Sequence, residues 1–530
     1  MLAAVQMTDR GHVRRSPEPR ADQLEQAELS PDGLGELQRA LLPAALPVLS
    51  RVKIAARYQA ARTSRRAGGD WFDAIALPGG RVALVVGDVV GHGVPAVAAM
   101  GQLRSVLGEL LASEPDLPAA LRRTDEFAAR TPGLRAATLS VAELDPASGS
   151  VRYITCGHPP PLVIGRYGGT RLLPVTGTGP LGTRSEPSFG TATLQPGDLL
   201  LLYSDGLIQH PQIPVAESIA ELRACAEEAV RATGARGGGV PPAERVCQRV
   251  VAAQTGHGYF DDITVLAAEF LADPVAELNL ELPAEVGNVL RIRRAFTAWL
   301  NGIDDAIADA HDLLLAVVET VTNAIEHAYR DEKPGMVAFR AVLQDDGNLE
   351  CQVTDHGHWR RPSPAMGNRG HGLMVAAQVV DVMQVSHAMP PAGSEPGSRG
   401  TVVTLRHRLR RPASITTEIS DRSAEPYSAT AFRMEIDSRG AEPCAKVSGP
   451  VDGSTADRLA RQLLTACRGG TLPITLDLTG ITYLASSGVR AIYQVRERLT
   501  AHKQNLTILA AANSSAHDLL DMARLPHVSR

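Results

Sequence analysis

Asp70, Asp88, Asp205 and Asp261 each lie at the end of a short apolar segment or in a glycine-containing turn of this 530-residue sequence. Apolar strands are buried, so carboxylates at their ends could converge at one edge of a sheet. Such a cluster repels itself unless hard cations neutralise it, and oxygen ligands alone select Mg²⁺ or Mn²⁺. Two such ions could activate a water and clamp a phosphoryl group. The alternative is four unrelated turns, since aspartate is common after strands.

A second set of polar residues falls on one predicted helix and on the strand that follows it. Glu319 and Asn323 are four residues apart within the apolar segment Leu313–Ala328, so both project from one helix face. Groups placed in this way could hold a metal or an activated water, although an ordinary surface pair has the same spacing. Asp355 follows a predicted strand, and a glycine turn such as the one at Gly357 can approach an adenine or a phosphate closely.

Two serines mark the start of a predicted helix near the far end of the chain. The strand Ile474–Leu478 and a second apolar segment, Ile481–Leu484, lead into Ser486 and Ser487, after which helical spacing continues to about Leu499. A helix N-terminus favours negative charge because unpaired amides and the positive end of the dipole meet there. A phosphate on a serine hydroxyl would be stabilised at this position. The alternative is that one serine is simply the N-cap.

Length and composition limit the class of protein. A chain of 530 residues and 56.2 kDa is too long for one ordinary core and predicts three or four domains. The net charge of −5, with no clustered basic surface in the sequence, argues against nucleic acid as the main partner, and we expect no direct DNA binding. The six cysteines have no CxxC spacing and indicate neither a disulfide framework nor a zinc site. No apolar run has transmembrane length, so we expect no membrane contact and a cytoplasmic location.

The first fifty residues divide into two predicted segments. Residues 1–29 are polar and predicted to be disordered. Residues 30–50 form a predicted amphipathic helix and linker, with an apolar stripe that includes Leu34, Leu37 and Leu41. This stripe could pack on its own domain, or it could pair two copies of the chain as a homodimer.

Five motifs in residues 51–271 appear in a specific order: Gly68–Asp73 (GGDWFD), Gly87–Gly93 (GDVVGHG), Cys156–Pro161 (CGHPPP), Ser204–Gly206 (SDG) and Asp261–Thr264 (DDIT). They resemble the motifs of the SpoIIE branch of the type-2C, metal-dependent Ser/Thr protein phosphatases. This resemblance implies a β-sandwich flanked by helices that hydrolyses phosphoserine. It also implies two Mn²⁺ or Mg²⁺ ions, bridged by Asp88, with these ligands: Asp70, Asp88, the carbonyl of Val89, Asp205 and Asp261. Asp262 is the alternative to Asp261.

Residues 276–409 contain the polar helix, the Asp355 turn and later glycines, and they resemble the anti-sigma-factor serine kinase branch of the GHKL ATPases. The resemblance implies a Bergerat α/β sandwich that binds ATP with Mg²⁺. Glu319 is then the general base or positions a water, and Asn323 is the Mg²⁺ ligand. The remaining implied nucleotide contacts are Asp355 at the adenine amino group, Gly357, Gly370, Gly372 and Thr401.

Residues 410–429 are rich in Pro, Ser and Thr and predict a flexible linker. Residues 430–530 alternate strands and helices around the Ser486 turn, and they resemble a small β/α STAS domain of the anti-sigma-factor antagonist type. In that family the serine that corresponds to Ser486 is phosphorylated. The overall fold class is therefore multidomain, α/β and α+β.

Together the resemblances predict a partner-switching regulator of a sigma factor. The kinase domain would phosphorylate Ser486 or a separate STAS antagonist, and the phosphatase domain would reverse that reaction. The alternative is a sigma-factor-binding scaffold with a catalytically weak kinase-like domain and a phosphatase that acts on a separate antagonist. Ala485, where the family usually has aspartate, and His371, where it often has arginine, favour this alternative.

Overall fold

The structure is a computed structural model, and it describes most of the chain. The described residues are 31–61, 68–89, 91, 93–114, 116–131, 133–210, 213–232, 240–256, 261–329, 335–357, 372–387, 400–416, 432–438, 442–451, 455–512 and 514–530. The predicted disorder of residues 1–29 lies outside them.

The first part of the chain folds into two stacked sheets flanked by helices. Its helices are α1 (Pro31–Leu41), α2 (Val94–Ser113), α3 (Leu117–Arg130), α4 (Val215–Arg231) and α5 (Pro242–Gly256). Its strands are β1 (Ala45–Pro47), β2 (Val52–Gln59), β3 (Asp70–Ala76), β4 (Val82–Asp88), β5 (Thr138–Asp145), β6 (Ser150–Cys156), β7 (Leu162–Ile164), β8 (Thr170–Leu172), β9 (Gly190–Thr193), β10 (Leu199–Tyr203) and β11 (Ile263–Phe270). One sheet has the order β3-β4-β5-β6-β9, and the other contains the neighbours β2-β11-β10-β7-β8.

Alternating side chains of the buried strands explain the layers. In β11, Leu266 and Ala268 pack toward the other sheet, whereas Val265 and Ala267 pack against α4 and α5. All seven residues of β4 are buried, because the second sheet covers one face and α2 and α3 cover the other. The predicted β-sandwich flanked by helices is confirmed.

The second part is a single sheet with helices on one face. Its elements are β12 (Leu278–Pro283), α6 (Val286–Ile303), α7 (Ala310–His327), β13 (Met336–Leu343), β14 (Asn348–Asp355), α8 (Gly372–Val379), β15 (Val382–His387) and β16 (Thr401–Arg408). The strand order is β12-β13-β14-β16-β15, and each neighbouring pair is antiparallel. Burial alternates along β14, so its apolar residues face α6 and α7. This is the predicted α/β sandwich.

The chain then returns to the first part. Strand β17 (Arg410–Pro412) pairs antiparallel with β1, and β18 (Ser414–Thr416) pairs parallel with β2 as an added edge strand. The prediction of a flexible linker over 410–429 is therefore wrong for residues 410–416, because ladder hydrogen bonds hold their backbone to the first sheet. Residues 417–429 lie outside the described part of the chain.

Arg411 joins the two parts where they meet. Its Nη2 lies 3.3 Å from Glu244 Oε2 on α5, and its Nη1 lies 3.3 Å from Asp304 Oδ2 at the end of α6. The three side chains are only 11%, 15% and 13% exposed, so water screens these pairs weakly. Val48, just after β1, also packs in the core of the second part.

We expect Arg411→Ala to lower the free energy of unfolding by about 3 kcal/mol, because the mostly buried Asp304 loses its cation and Glu244 keeps only its pair with Arg57. The neighbouring Arg410, which is exposed, provides the matched control, and Arg410→Ala should change stability by less than about 0.5 kcal/mol. Urea unfolding of both variants measures the difference. Equal unfolding midpoints for the two variants would refute this role for Arg411.

The third part is a five-stranded sheet with helices. It contains β19 (Arg433–Asp437), β20 (Cys444–Val451), α9 (Ala456–Ala466), β21 (Ile474–Leu484), α10 (Ser486–Ala501), β22 (Leu506–Ala510), α11 (Ser515–Met522) and β23 (Val528–Ser529), with the strands in sequence order. The two predicted apolar segments before Ser486 are one strand, β21, whose pairing with β20 shifts register twice. The predicted small β/α domain is confirmed.

Among the helices of the described residues, none combines the length and the apolar character needed to cross a membrane.

Candidate functional site

Three of the predicted carboxylates meet at one end of the sandwich. Asp70 and Asp88 are register partners across β3 and β4, and Asp205 starts a short 3-10 turn directly after β10. One carboxylate oxygen from each of the three lies within 4.8 Å of the others, and the residues are 3%, 7% and 7% exposed. The structure thus brings together three buried carboxylates, a donor set that suits a hard divalent cation.

Asp261 and Asp262 differ in what their carboxylates contact. Asp262 is buried, its Oδ1 accepts a hydrogen bond from the Ala61 amide at 2.8 Å, and its Oδ2 accepts one from the Tyr58 hydroxyl. Asp261 is half-buried, and its Oδ1 accepts only the amide of Asp262 at 2.9 Å among the hydrogen bonds of the described residues. Because protein donors already occupy both oxygens of Asp262, the geometry favours Asp261 as the metal ligand.

Glycines allow the backbone to close around the carboxylates. A Cβ on Gly69 would lie 1.6 Å from the carbonyl oxygen of Val89 and 3.0 Å from Asp88 Oδ1. The Val89 carbonyl and the Asp88 carboxylate therefore lie on the same side of Gly69, where any side chain would displace them. A Cβ on Gly206 would lie 2.0 Å from the carbonyl of Asp262, so the turns that carry Asp205 and Asp261 can approach only because this residue is glycine.

Three supporting residues were not predicted from sequence. Thr264 Oγ1 donates to Asp70 Oδ2 at 2.9 Å, and the Tyr58 hydroxyl holds Asp262. Gln38, on α1, contacts the Tyr58 hydroxyl and donates to the Gly68 carbonyl at 3.2 Å. The N-terminal helix thus packs on its own domain and reaches the edge of the site. A glutamine beside a leucine stripe carries no sequence signal of this contact.

Burial and mutual repulsion shift the proton affinities of the cluster. Burial first, and then the negative fields of Asp88 and other carboxylates, raise the pKa of Asp70 well above its ordinary value. Burial and the charge of Asp205 do the same to the pKa of Asp261. The pKa of Asp205 rises to about 6, chiefly through burial. A bound cation would remove this cost, so the cluster is electrostatically suited to one.

These pKa shifts predict that low pH weakens metal binding but stabilises the metal-free fold. A metal must displace protons from carboxyls whose pKa values are raised, so the apparent Mn²⁺ affinity should fall about tenfold per displaced proton and pH unit below about pH 6. Without metal, the same raised pKa values stabilise the fold at low pH, and this stability is lost as pH rises through them. Calorimetric Mn²⁺ titrations at pH 7.5 and 5.5 measure the first effect, and Asp88→Asn is the control that should remove binding at both pH values. A pH-independent affinity would contradict this electrostatic description.

His158 takes a structural part in this domain. It is buried, and its Nδ1 lies 2.9 Å from the Thr138 hydroxyl. Burial lowers its pKa to about 3, so the ring stays neutral.

The predicted nucleotide residues lie on α7 and at the end of β14. Glu319 and Asn323 are half-buried and flank the apolar face that α7 packs on the sheet. Asp355 is 5% exposed, and its Oδ1 accepts hydrogen bonds from the amides of Gly357 at 3.1 Å and Thr401 at 3.3 Å. Burial raises its pKa.

Close packing joins the end of α7 to the Asp355 turn. A Cβ on Gly357 would lie 2.2 Å from the carbonyl of Ala328, just past α7. Asp355, Gly357 and Thr401 therefore form one cluster beside the helix that carries Glu319 and Asn323. Gly372 begins α8, and Gly370 lies outside the described residues.

Ser486 is the first residue of α10, and Ala485 separates it from the end of β21. The N-cap position belongs to Ala485, which makes no side-chain cap, so the alternative of Ser486 as the N-cap is wrong. The Ser487 hydroxyl oxygen is buried and has no hydrogen-bond partner among the described residues. A buried hydroxyl is inaccessible to a transferase, which argues against Ser487 as the modified residue.

Comparison with known proteins finds three family models along the chain. "Stage II sporulation protein E (SpoIIE)" matches residues 78–271, "Histidine kinase-like ATPase domain" matches residues 282–407, and "Mlab, STAS domain" matches residues 434–528. The predicted types of domain and their order are confirmed.

A solved structure covers the first two of these domains together. The crystal structure of the RsbU and RsbW domains of a Mycobacterium tuberculosis protein is 36% identical, covers 71% of this chain and 98% of that chain, and has a TM-score of 0.61.

Curated relatives match smaller parts. Protein IcfG of Synechocystis is 29% identical over 202 residues, and the match spans 31% of its length and 32% of this chain. An anti-sigma F factor of Heyndrickxia coagulans is 26% identical over 144 residues, which cover 92% of it and 25% of this chain.

Proposed function

Because the chain belongs to the family of fused RsbU–RsbW regulators, here followed by a STAS domain, we propose that its phosphatase domain removes phosphate from a STAS serine that its ATPase domain phosphorylates. The architecture is that of a partner-switching regulator. The observation that carries the phosphatase part is the buried cluster of Asp70, Asp88 and Asp205.

Asp70, Asp88 and Asp205 could hold a metal ion, and the proposal is that two Mn²⁺ or Mg²⁺ ions bind at this cluster. Asp88 would bridge them, and Asp70, the Val89 carbonyl, Asp205 and Asp261 would complete the protein ligands. When bound, such ions activate water and neutralise phosphoryl oxygens. The chain itself fixes these ligands, since Thr264 orients Asp70 and Gln209 Nε2 donates to Asp205 Oδ2 at 3.0 Å.

The second domain supplies the opposing reaction. Glu319 would accept the proton of the serine hydroxyl or position it for attack, and Asn323 would hold Mg²⁺ with ATP. Asp355, held by the Gly357 and Thr401 amides, would accept a hydrogen bond from the adenine amino group. Gly370 and Gly372 would belong to the nucleotide loop.

The position of the third domain supports action on Ser486 of the same chain. Arg490 lies one turn after Ser486 on α10, and its Nη1 is 3.8 Å from where a Cβ on Gly91 would lie, in the turn that follows Asp88. On the same helix, Glu497 pairs with Arg135 of the phosphatase domain. The start of α10 therefore faces the side of the sandwich that carries the carboxylates.

The charge of the phosphoserine determines which partner the STAS domain would bind. A phosphoserine adds about two negative charges at the N-terminus of α10, and this change would decide whether the STAS surface binds the ATPase domain. A sigma factor would compete for that domain, as the names of the anti-sigma relatives suggest. We place the protein in the cytoplasm. Because Leu37 and Leu41 pack on the first domain, a homodimer would pair through the part of α1 that this packing leaves free.

The test of the phosphatase half is the release of phosphate from phosphoserine at position 486. The substrate is the chain itself with genetically encoded phosphoserine at that position, purified with a chelator so that it cannot dephosphorylate itself. Addition of Mn²⁺ should release phosphate, and the same chain with Asp88→Asn should release none. Metal-independent release, or none, would refute the proposed activity.

A further inference from the structure

A second cluster of metal-binding side chains lies at the C-terminal end of the third domain, far in sequence from the carboxylates of the phosphatase. It consists of His517 and Asp521 on α11 and His527 in the segment that leads to β23. One potential ligand atom from each residue lies within 4.8 Å of the others. The spacing of four residues places His517 and Asp521 on one face of the helix.

His527 is held in a form that can bind a metal. Its Nδ1 lies 2.9 Å from the carbonyl oxygen of Leu525, which can only accept a hydrogen bond, so Nδ1 carries the proton. The lone pair of a neutral ring then lies on Nε2, which points to His517 Nδ1 at a distance of 2.7 Å. The side chain is only 4% exposed, and Leu525 packs in the core of the domain. A ring fixed by a backbone carbonyl is the usual support of a metal-binding histidine.

Hydrogen bonds hold both the backbone and the ring of His517. Its backbone amide donates to the Ser514 side chain at the N-cap of α11 at 3.2 Å, and its Nδ1 also lies 3.2 Å from the Ser529 hydroxyl. The Asp521 carboxylate lies 3.7 Å from His517 Nε2 and 3.9 Å from His527 Nε2, and it is 68% exposed. The cluster thus has two nearly fixed nitrogens and one carboxylate that can swing in from the solvent.

We propose that His517, Asp521 and His527 form a Zn²⁺ site with one position open to water or to a partner. Without metal, one proton lies between the two facing ring nitrogens; on metal binding it would move to Nε2 of His517, so that both rings bind the metal as neutral imidazoles. Two imidazoles and one carboxylate suit Zn²⁺, whereas the phosphatase cluster offers only oxygens and suits Mn²⁺ or Mg²⁺. Nitrogens around a tetrahedral Zn²⁺ lie about 3.3 Å apart, so a small side-chain rotation from the 2.7 Å contact accommodates the ion.

Bound Zn²⁺ would tie α11 to the end of the chain. Strand β23 has only two residues, Val528–Ser529, and it pairs with β22 at the edge of the sheet. Such a short strand is held by few backbone hydrogen bonds. Zinc ligands on α11 and in the segment just before β23 would therefore stabilise the strand. This inference concerns the STAS domain alone and does not depend on the proposed phosphatase and kinase activities.

The test is Zn²⁺ uptake by the full chain in an Asp88→Asn, Asp205→Asn background, which weakens binding at the phosphatase cluster. Each chain is dialysed against about 10 µM Zn²⁺, and its zinc content is then measured by elemental analysis. The background chain should hold one Zn²⁺ more than the same chain with His527→Gln. Asp521→Asn changes an exposed residue that does not support the fold, and it should weaken binding about tenfold or more. Co²⁺ in place of Zn²⁺ should give visible absorption that His527→Gln removes.

His502→Gln is the matched control, since His502 is an exposed histidine of the same domain outside the cluster. It should leave Zn²⁺ uptake unchanged. Equal Zn²⁺ content in the background chain and in both the His527→Gln and Asp521→Asn variants would overturn the site. A loss of Zn²⁺ that occurs equally with His502→Gln would also overturn it.

Discussion

Replacing Asp88 with asparagine should abolish metal-dependent dephosphorylation, with a fall in kcat of at least about 10³-fold. Asp88 lies with Asp70 and Asp205 in the buried cluster, and the proposal gives it the bridging position between two ions. The substitution keeps the shape of the side chain but removes the charge that holds both ions. The measurement is phosphate release from phosphoserine at position 486 across a range of Mn²⁺ concentrations.

A second readout separates loss of function from loss of fold. Asp88 adds to the repulsion that raises the pKa of Asp70, so Asp88→Asn should make the metal-free protein at least as stable as the parent at neutral pH. Thermal unfolding in the presence of a chelator measures this. If the variant is both inactive and destabilised, unfolding explains the loss of activity. The bridging role then fails this test.

Asp73→Asn is the matched control. Asp73 lies on the same strand as Asp70, three residues along, but its carboxylate pairs with Arg104 at 2.8 Å. It is outside the cluster, and its loss should change kcat by less than about threefold. A comparable loss of activity in Asp88→Asn and Asp73→Asn would show that negative charge in this part of the sheet, rather than metal ligation, matters.

Replacing Glu319 with glutamine should lower ATP-dependent phosphotransfer to serine by about 10² to 10⁴-fold, the range for loss of a positioned general base. Glu319 shares a helix face with Asn323, and α7 ends against the Asp355 turn at Gly357. ATP binding should persist, because the adenine contact is assigned to Asp355 rather than to Glu319. Transfer of labelled phosphate and nucleotide affinity, measured on the same preparation, report the two effects separately.

Glu326 provides the comparison for this variant. It is an exposed residue on the same helix, two turns after Glu319, and Glu326→Gln should leave phosphotransfer within about twofold of the parent. Unchanged transfer in Glu319→Gln would remove this residue from the reaction. It would favour the alternative of a kinase-like domain that binds a sigma factor without transferring phosphate.

The parts of the site that depend only on neighbouring residues in the chain could be predicted from the sequence. Asp88 and Asp205 follow buried apolar strands, and strands of that kind must end at a sheet edge. The choice between Asp261 and Asp262 could not be predicted, because it depends on Tyr58 and Ala61, about two hundred residues away along the chain. For the same reason nothing indicated that Gln38 would reach the site.

Two errors have a common physical origin. The composition of residues 410–416 resembles a tether, but the open edge of β2 and the carboxylates of Glu244 and Asp304 supply partners that composition does not reveal. Likewise, Ser486 has the residue type of an N-cap, yet the register of β21 places Ala485 at that position. In both places tertiary context overrides a local preference.

Intact mass tests the central claim most directly. The Asp88→Asn chain, in which dephosphorylation is blocked, is incubated with Mg-ATP and weighed by mass spectrometry at several protein concentrations. The account predicts one added phosphoryl group per chain, at a rate independent of dilution, which is lost with Ser486→Ala and retained with Ser487→Ala. An unchanged mass in a chain that binds ATP would contradict phosphorylation of Ser486 within the chain.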